Sequence, residues 1–303
     1  MDWVAIAARF ALYVDLGLLF GLPCIALCLL KAGDLRRLRI GGLCAALAIA
    51  GLVASLFGFA VQIAAMSGSG LIAIDADLAT VLLTETAMGW ALMARLGALL
   101  VAVGFAFVSP VRSMWLVTVC GGLAAATLAW SGHGAASEGS AGLLHLISDI
   151  VHLLAASAWL GALAVLLLLV SPRGADMPDR VAAAHAALSA FSLLGTILVG
   201  LIVVTGLVNG AFVVGAAHLL VLGGSAYGQL LLVKLLLFGA MLGCAAANRF
   251  WLTPLLERAT GQVATSRALS SLRRTIAFET GLAVTILALV AWFGTLEPPM
   301  SAL

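Results

Sequence analysis

Of 303 residues, 64% are hydrophobic and only 9% are Asp, Glu, Lys or Arg, against roughly 25% charged residues in an ordinary soluble domain, and the mean hydropathy is +1.21. No soluble core can enclose that much apolar surface, and a net charge of +2 is too small to point to nucleic acid. Lipid is the solvent that fits, and apolar runs this long satisfy their backbone hydrogen bonds in a bilayer as helices.

In chain order, stretches able to cross about 30 Å of hydrocarbon fall at 4–30, 40–65, 86–108, 114–131, 144–170, 187–213, 229–252 and 275–296. The expected fold is an all-α integral membrane protein, a bundle of eight transmembrane helices. The first run has the length of a secretory leader. Its Asp2, Arg9 and Asp15, and the lack of a small-residue cleavage site, instead predict a retained helix. The joints alternate in charge. Lys31 to Arg39, Ser109 to Ser113, Ser171 to Arg180 and Thr253 to Arg274 are basic, whereas Ser67 to Glu85, Ser131 to Leu143 and Val214 to Gly228 hold no Lys or Arg. Counting Arg249, twelve of the fifteen Lys and Arg fall on one side, which the positive-inside rule assigns to the cytoplasm. Both termini then face the periplasm. Residues 1–303 are expected to form a single transmembrane domain with no fused soluble domain. Thr253 to Arg274 reads as a short surface helix or loop, and Ile74 to Glu85 as an interfacial segment or a plain loop.

With Arg249 counted with its loop, six charges fall inside spans: Arg9, Arg95, Lys234, Asp15, Asp149 and Glu279. Equal numbers of each sign suggest internal pairing, with snorkelling as the alternative for Arg9 and Lys234. Asp149 stands apart, because His145, Asp149, His152 and Trp159 are spaced by four, three and seven residues and so share one helical face. A single buried histidine is ordinarily a packing residue. Two imidazoles flanking a carboxylate are ligands of the kind that suits Cu, Zn or haem iron. His133, in the loop before them, is positioned to join. Met66, Met88 and Met93 fall toward the outer ends of their helices, where thioethers suit Cu(I) or simply fill gaps, and Glu85 is an optional oxygen ligand beside Met88. The five cysteines form no framework. In this topology all lie in the cytoplasmic half, where Cys24 and Cys28, four apart, are either an exit through thiolates or small buried hydrophobes. His185 and His218 rank low as ligands.

Asp149-Ile-Val-His152-Leu-Leu-Ala-Ala-Ser-Ala-Trp159-Leu-Gly161 resembles the D-x-x-H-x(6)-W-x-G helix of the CopD family of copper-resistance inner-membrane proteins, and Tyr227-Gly228 followed by Lys234 resembles its Y-G-x-L-L-x-x-K segment. Asn248-Arg249 with Pro254, and Glu279 to Gly281 ahead of Gly294 and Pro298, are similar to its last two helices. The N-terminal likeness rests on Met66-Ser-Gly68, Thr86, Gly89, Trp90 and Arg95. The resemblance implies copper, as Cu(I) or Cu(II), moved from periplasm to cytoplasm with a periplasmic CopC-like carrier as partner, docking at acidic outer loops containing Asp75, Asp77 and Glu138. It carries over His152, Trp159 and Lys234 as pattern positions. The resulting expectation is a bacterial inner-membrane copper permease in which His133, His145, His152, Met66 and Met88 form an outer site and Asp149 orients or ligates. No P-loop is present, so an enzyme is not expected. Ion gradients or the membrane potential would drive movement. The rivals are a haem b electron-transfer protein and a non-transporting copper sensor or assembly factor.

Overall fold

A computed structural model of the chain describes residues 3–68, 70–71, 74–106, 112–131, 139–171, 177–214, 224–258 and 262–296. Among them there is no strand. The helices are α1 (Trp3–Leu29), α2 (Ala32–Arg37), α3 (Ile40–Ser67), α4 (Ala76–Glu85), α5 (Ala87–Ala106), α6 (Arg112–Ala126), α7 (Gly139–Val170), α8 (Met177–Val213), α9 (Ala226–Ala247), α10 (Thr253–Arg258) and α11 (Gln262–Phe293). A 3₁₀ turn, Thr127–Ser131, extends α6, and a π-helical turn, Asn248–Leu252, joins α9 to α10. Counting these extensions, 8 helices are long and apolar enough to cross a membrane, so the protein is a multi-pass membrane protein. Leu193, Leu207 and Leu236 are each more than 70% exposed, as lipid-facing side chains are. Tryptophans flank the apolar zone at both ends, Trp3 and Trp90 at one, Trp115 and Trp251 at the other.

Local chemistry sets the helix ends. Gly68 takes a left-handed φ of 67° and stops α3, a conformation that costs glycine little. The Asp75 carboxylate accepts the backbone N–H groups of Asp77 and Leu78 and starts α4. Thr86 is extended, and its hydroxyl accepts the Gly89 N–H at 3.1 Å to begin α5.

Helix α1 is the axis of the bundle and packs against α3, α6, α7 and α11. Its closest neighbour is α7. Gly17 and Gly21 of α1 meet Ser157 and Gly161 of α7, and a Cβ on either Gly21 or Gly161 would overlap the backbone of the opposite helix. This is a small-xxx-small crossing, the means by which membrane helices gain dispersion contact without a hydrophobic driving force. On the other side Gly121 of α6 sits against α1, where an added Cβ would lie 2.8 Å from the Leu19 carbonyl oxygen. Alternation of the spans brings Trp3 and Phe293 to one end, called here the terminal end; the Trp3 and Trp292 rings lie 6.2 Å apart there.

Several helix limits differ from the hydropathy reading. Helix α11 starts at Gln262, well before the apolar run at 275, and α8 starts at Met177 rather than near 187. The early part of α11 is amphipathic: Arg267, Arg273 and Arg274 are exposed, while Leu269, Leu272 and Ile276 enter the core. Hydropathy marks the lipid crossing, whereas the helix continues as long as one stripe stays buried. Ile74 to Glu85 supplies the real helix α4, of which Leu82 is buried.

Candidate functional site

The polar residues of α7 are matched by polar residues of α8 in antiparallel register. His145 stacks on Phe212 with centroids 4.8 Å apart and 7° between planes. Four residues on, Asp149 Oδ1 accepts from Asn209 Nδ2 at 3.4 Å. Three further, His152 Nδ1 lies 2.9 Å from Thr205 Oγ1, and Ser148 Oγ donates to the Thr205 carbonyl at 3.3 Å. The sums of the paired numbers are nearly constant, as two antiparallel helices with one shared face require. Thr205 and Asn209 were not singled out from sequence. Their signal was there: two polar residues four apart inside Leu201 to Phe212, otherwise almost wholly apolar.

Thr205 Oγ1 lies within hydrogen-bond distance of both His152 Nδ1, at 2.9 Å, and the Leu201 carbonyl oxygen, at 2.5 Å, and the ring is also hydrogen-bonded to the backbone of Ile202. The Nδ1–Cε1 edge also faces Gly206. His152 lines a cavity of about 560 Å³ between α7, α8, α9 and α11, together with Lys234, Trp159, Met241 and Tyr13. Lys234 and Asp149 attract one another electrostatically, and Lys234 Nζ lies 5.6 Å from the centroid of the Phe293 ring. The cavity is largely apolar, so charge placed in it is poorly screened.

Behind the cavity wall, Trp159 Nε1 donates to Glu279 Oε1 at 3.2 Å and Asn248 Nδ2 donates to Glu279 Oε2 at 3.1 Å. The π-turn makes the second bond possible by presenting Asn248 to the interior, and the Thr253 hydroxyl spans its wider loop to the Asn248 carbonyl at 2.8 Å.

A second cavity, of about 480 Å³, lies at the terminal end between α1, α3 and α5 and is lined by Arg9, Tyr13, Ser55, Gln62, Met66, Met88 and Arg95 among others. Tyr13 and Leu128 line both cavities and form the partition between them.

The expected outer site is therefore divided. His152 belongs to one cavity and Met66 with Met88 to the other, because α1 stands between α7 and the α3–α5 pair. His145 is buried against Phe212 and lines neither cavity. His133, Glu138 and His218 lie outside the described residues. Met93 and Glu85 are exposed and line neither cavity. Among the described residues no three His, Cys, Asp or Glu side chains converge on a metal position. Cys24 and Cys28 are neighbours joined by a side-chain hydrogen bond near the opposite end. The intramembrane charges have mostly neutral partners: Glu279 has Trp159 and Asn248, Arg95 Nε has Thr127 Oγ1 at 2.7 Å, and Arg9 Nη1 has the Gly294 carbonyl at 2.6 Å. Asp15 Oδ2 is buried without a hydrogen-bond partner, facing Gly51 of α3.

Fold and site together define a polytopic helical membrane protein that holds imidazole and carboxylate groups inside its bundle, with thioethers lining its cavities. Residues 1–143 match the family model described as Copper resistance protein D-like, N-terminal domain, and residues 185–293 match that described as Copper resistance protein D. The chain is 40% identical over 307 aligned residues to Copper resistance protein D of Pseudomonas syringae pv. tomato, covering 99% of each. It belongs to the copper resistance protein D family. It is also 34% identical over 171 residues to Copper transport protein CutJ of Bacillus subtilis (strain 168), across 56% of this chain and 28% of that protein. No solved structure matches. The His152 ladder of α7 falls between the two matched segments.

Proposed function

We propose that the protein is a copper permease of the bacterial inner membrane, carrying copper from periplasm to cytoplasm, with the terminal end facing the periplasm, an orientation that the distribution of Lys and Arg supports. The observation that carries this reading is His152, whose Nδ1 is held at Thr205 while the ring lines a largely apolar cavity; Nε2 is the proposed donor. Copper enters at Met66 and Met88, whose thioethers favour Cu(I), passes the Tyr13 and Leu128 partition, and binds His152. Asp149 supplies the negative charge a cation needs in a poorly screened space, and Lys234 holds that charge when the cation is absent. Cys24 and Cys28 receive copper at the opposite end. An inside-negative potential assists by about 2.3 kcal/mol per charge per 100 mV. A periplasmic CopC-like carrier would dock near the exposed Asp75 and Asp77 that open α4.

Metal content and the visible spectrum of the purified protein test the site. Copper at stoichiometric occupancy, lost in His152→Ala at unchanged expression, is expected. A Soret band without copper, or an unaltered affinity in His152→Ala, would overturn it.

A further inference from the structure

The terminal cavity has the wrong charge for a bare metal cation. Two guanidinium groups, Arg9 and Arg95, line it, and among the described residues no Asp or Glu does. Arg95 is 4% exposed. It spends Nε on Thr127 Oγ1, a hydroxyl that donates its own proton to the Ala124 carbonyl at 2.6 Å. Its electrostatic neighbour is the Tyr13 hydroxyl rather than a carboxylate. Asp15, the buried carboxylate on the same helix as Arg9, faces Gly51, one turn from Ser55 on α3, and does not line the cavity. A guanidinium buried without a counter-charge is strongly unfavourable, so such groups are normally paired.

A second observation comes from the facing helix. Ser55 of α3 is 1% exposed, lines the same cavity, and its Oγ has no hydrogen-bond partner. Buried hydroxyls are ordinarily bonded. Arg95, Ser55 and Tyr13 therefore place a cation and two hydroxyls on the wall of one cavity, and what that set lacks is an anion.

We propose that the terminal cavity binds a small monovalent anion of the halide class, held by Arg95, Ser55 and Tyr13. Resting on the permease reading above, the second half of the proposal is that Cu(I) seated by Met66 and Met88 is there a charge-compensated halide complex. Two thioethers and one halide give Cu(I) a soft ligand set and a complex of zero net charge, which the neighbouring guanidinium groups do not repel.

The anion half is tested on metal-free protein. Thermal unfolding in detergent is followed as sodium chloride replaces sodium methanesulfonate at fixed ionic strength, with sodium acetate as a third series. Anything bound by the folded state alone raises Tm with ligand concentration. A saturable rise specific to chloride is expected. Arg95→Gln should raise the half-saturating chloride concentration on the order of 10- to 100-fold, the equivalent of one charge-assisted hydrogen bond. Ser55→Ala should shift it in the same direction and serves if Arg95→Gln does not fold. Equal Tm in chloride and methanesulfonate, or a response to acetate alone, would overturn the halide site.

The copper half is tested separately, by Cu(I) affinity from chelator competition in the two salts. Tighter binding in chloride, with the difference abolished in the Met66→Leu, Met88→Leu double variant, supports it; chloride-independent affinity overturns it. If the protein bound no copper at all, the permease reading would fall while chloride-dependent Tm still established the anion site.

Discussion

Thr205→Val replaces the hydroxyl that orients His152 by a methyl of similar size. Two bonds disappear, the 2.9 Å contact to His152 Nδ1 and the 2.5 Å bond to the Leu201 carbonyl. The second loss is minor, since that carbonyl can still accept the helical N–H of Thr205. The first removes the side-chain partner that orients a half-buried imidazole and leaves the Ile202 backbone as its remaining hydrogen-bond partner. A ring free to rotate or change tautomer no longer holds its donor nitrogen in one place in the cavity. Removal of such an outer partner lowers metal affinity by about 10–100-fold. Copper affinity measured by competition with a chromophoric Cu(I) chelator should fall by that factor in Thr205→Val, while Thr205→Ser, which keeps the hydroxyl, stays near wild type. Wild-type affinity in folded Thr205→Val would refute the orienting role, and with it the inference that Nε2 is the donor.

At the α1–α7 crossing, Gly161→Leu places a side chain where the Gly21 backbone already lies. The helices must separate, and a loss of about 1–3 kcal/mol or more is expected as a lower Tm in detergent, whereas Gly104→Ala, with nothing within 4 Å of its Cβ, should leave Tm unchanged. Trp159→Phe removes one of the two donors to Glu279 and should destabilise the protein by about 1–3 kcal/mol. Glu279→Gln in that background should then cost less than it does alone, a coupling that a double-mutant thermal-stability cycle reads directly. Met66→Leu with Met88→Leu keeps volume and removes sulfur, so copper uptake at low concentration should drop with little change in Tm.

The membrane fold was legible because lipid makes composition almost a direct readout of crossing: each apolar run found by hydropathy is a helix. Helix length was less legible, as α11 shows, since Leu269, Leu272 and Ile276 continue a buried stripe through a segment whose Arg residues lower its mean hydropathy. The face shared by His145, Asp149, His152 and Trp159 followed from helical spacing alone. What that face meets did not, because spacing along α7 says nothing about register against α8, so Thr205 and Asn209 had to come from the fold. That Met66 and Met88 line a different cavity from His152 was not legible for a similar reason. The methionines and the histidine lie toward the same end of the bundle, and only the position of α1 between them reveals two cavities. The intramembrane charges were expected to pair by number, yet neutral donors can satisfy a carboxylate as Trp159 and Asn248 do at Glu279, and sign counting is blind to that.

Copper movement into proteoliposomes under an inside-negative potential, read by a Cu(I)-sensitive dye in the lumen, tests the permease directly. Lumenal copper should appear with wild-type protein, faster as the potential is made more negative, and not with His152→Ala. Copper bound to the protein at normal affinity with none reaching the lumen would contradict transport and leave a copper-binding sensor or assembly factor in its place.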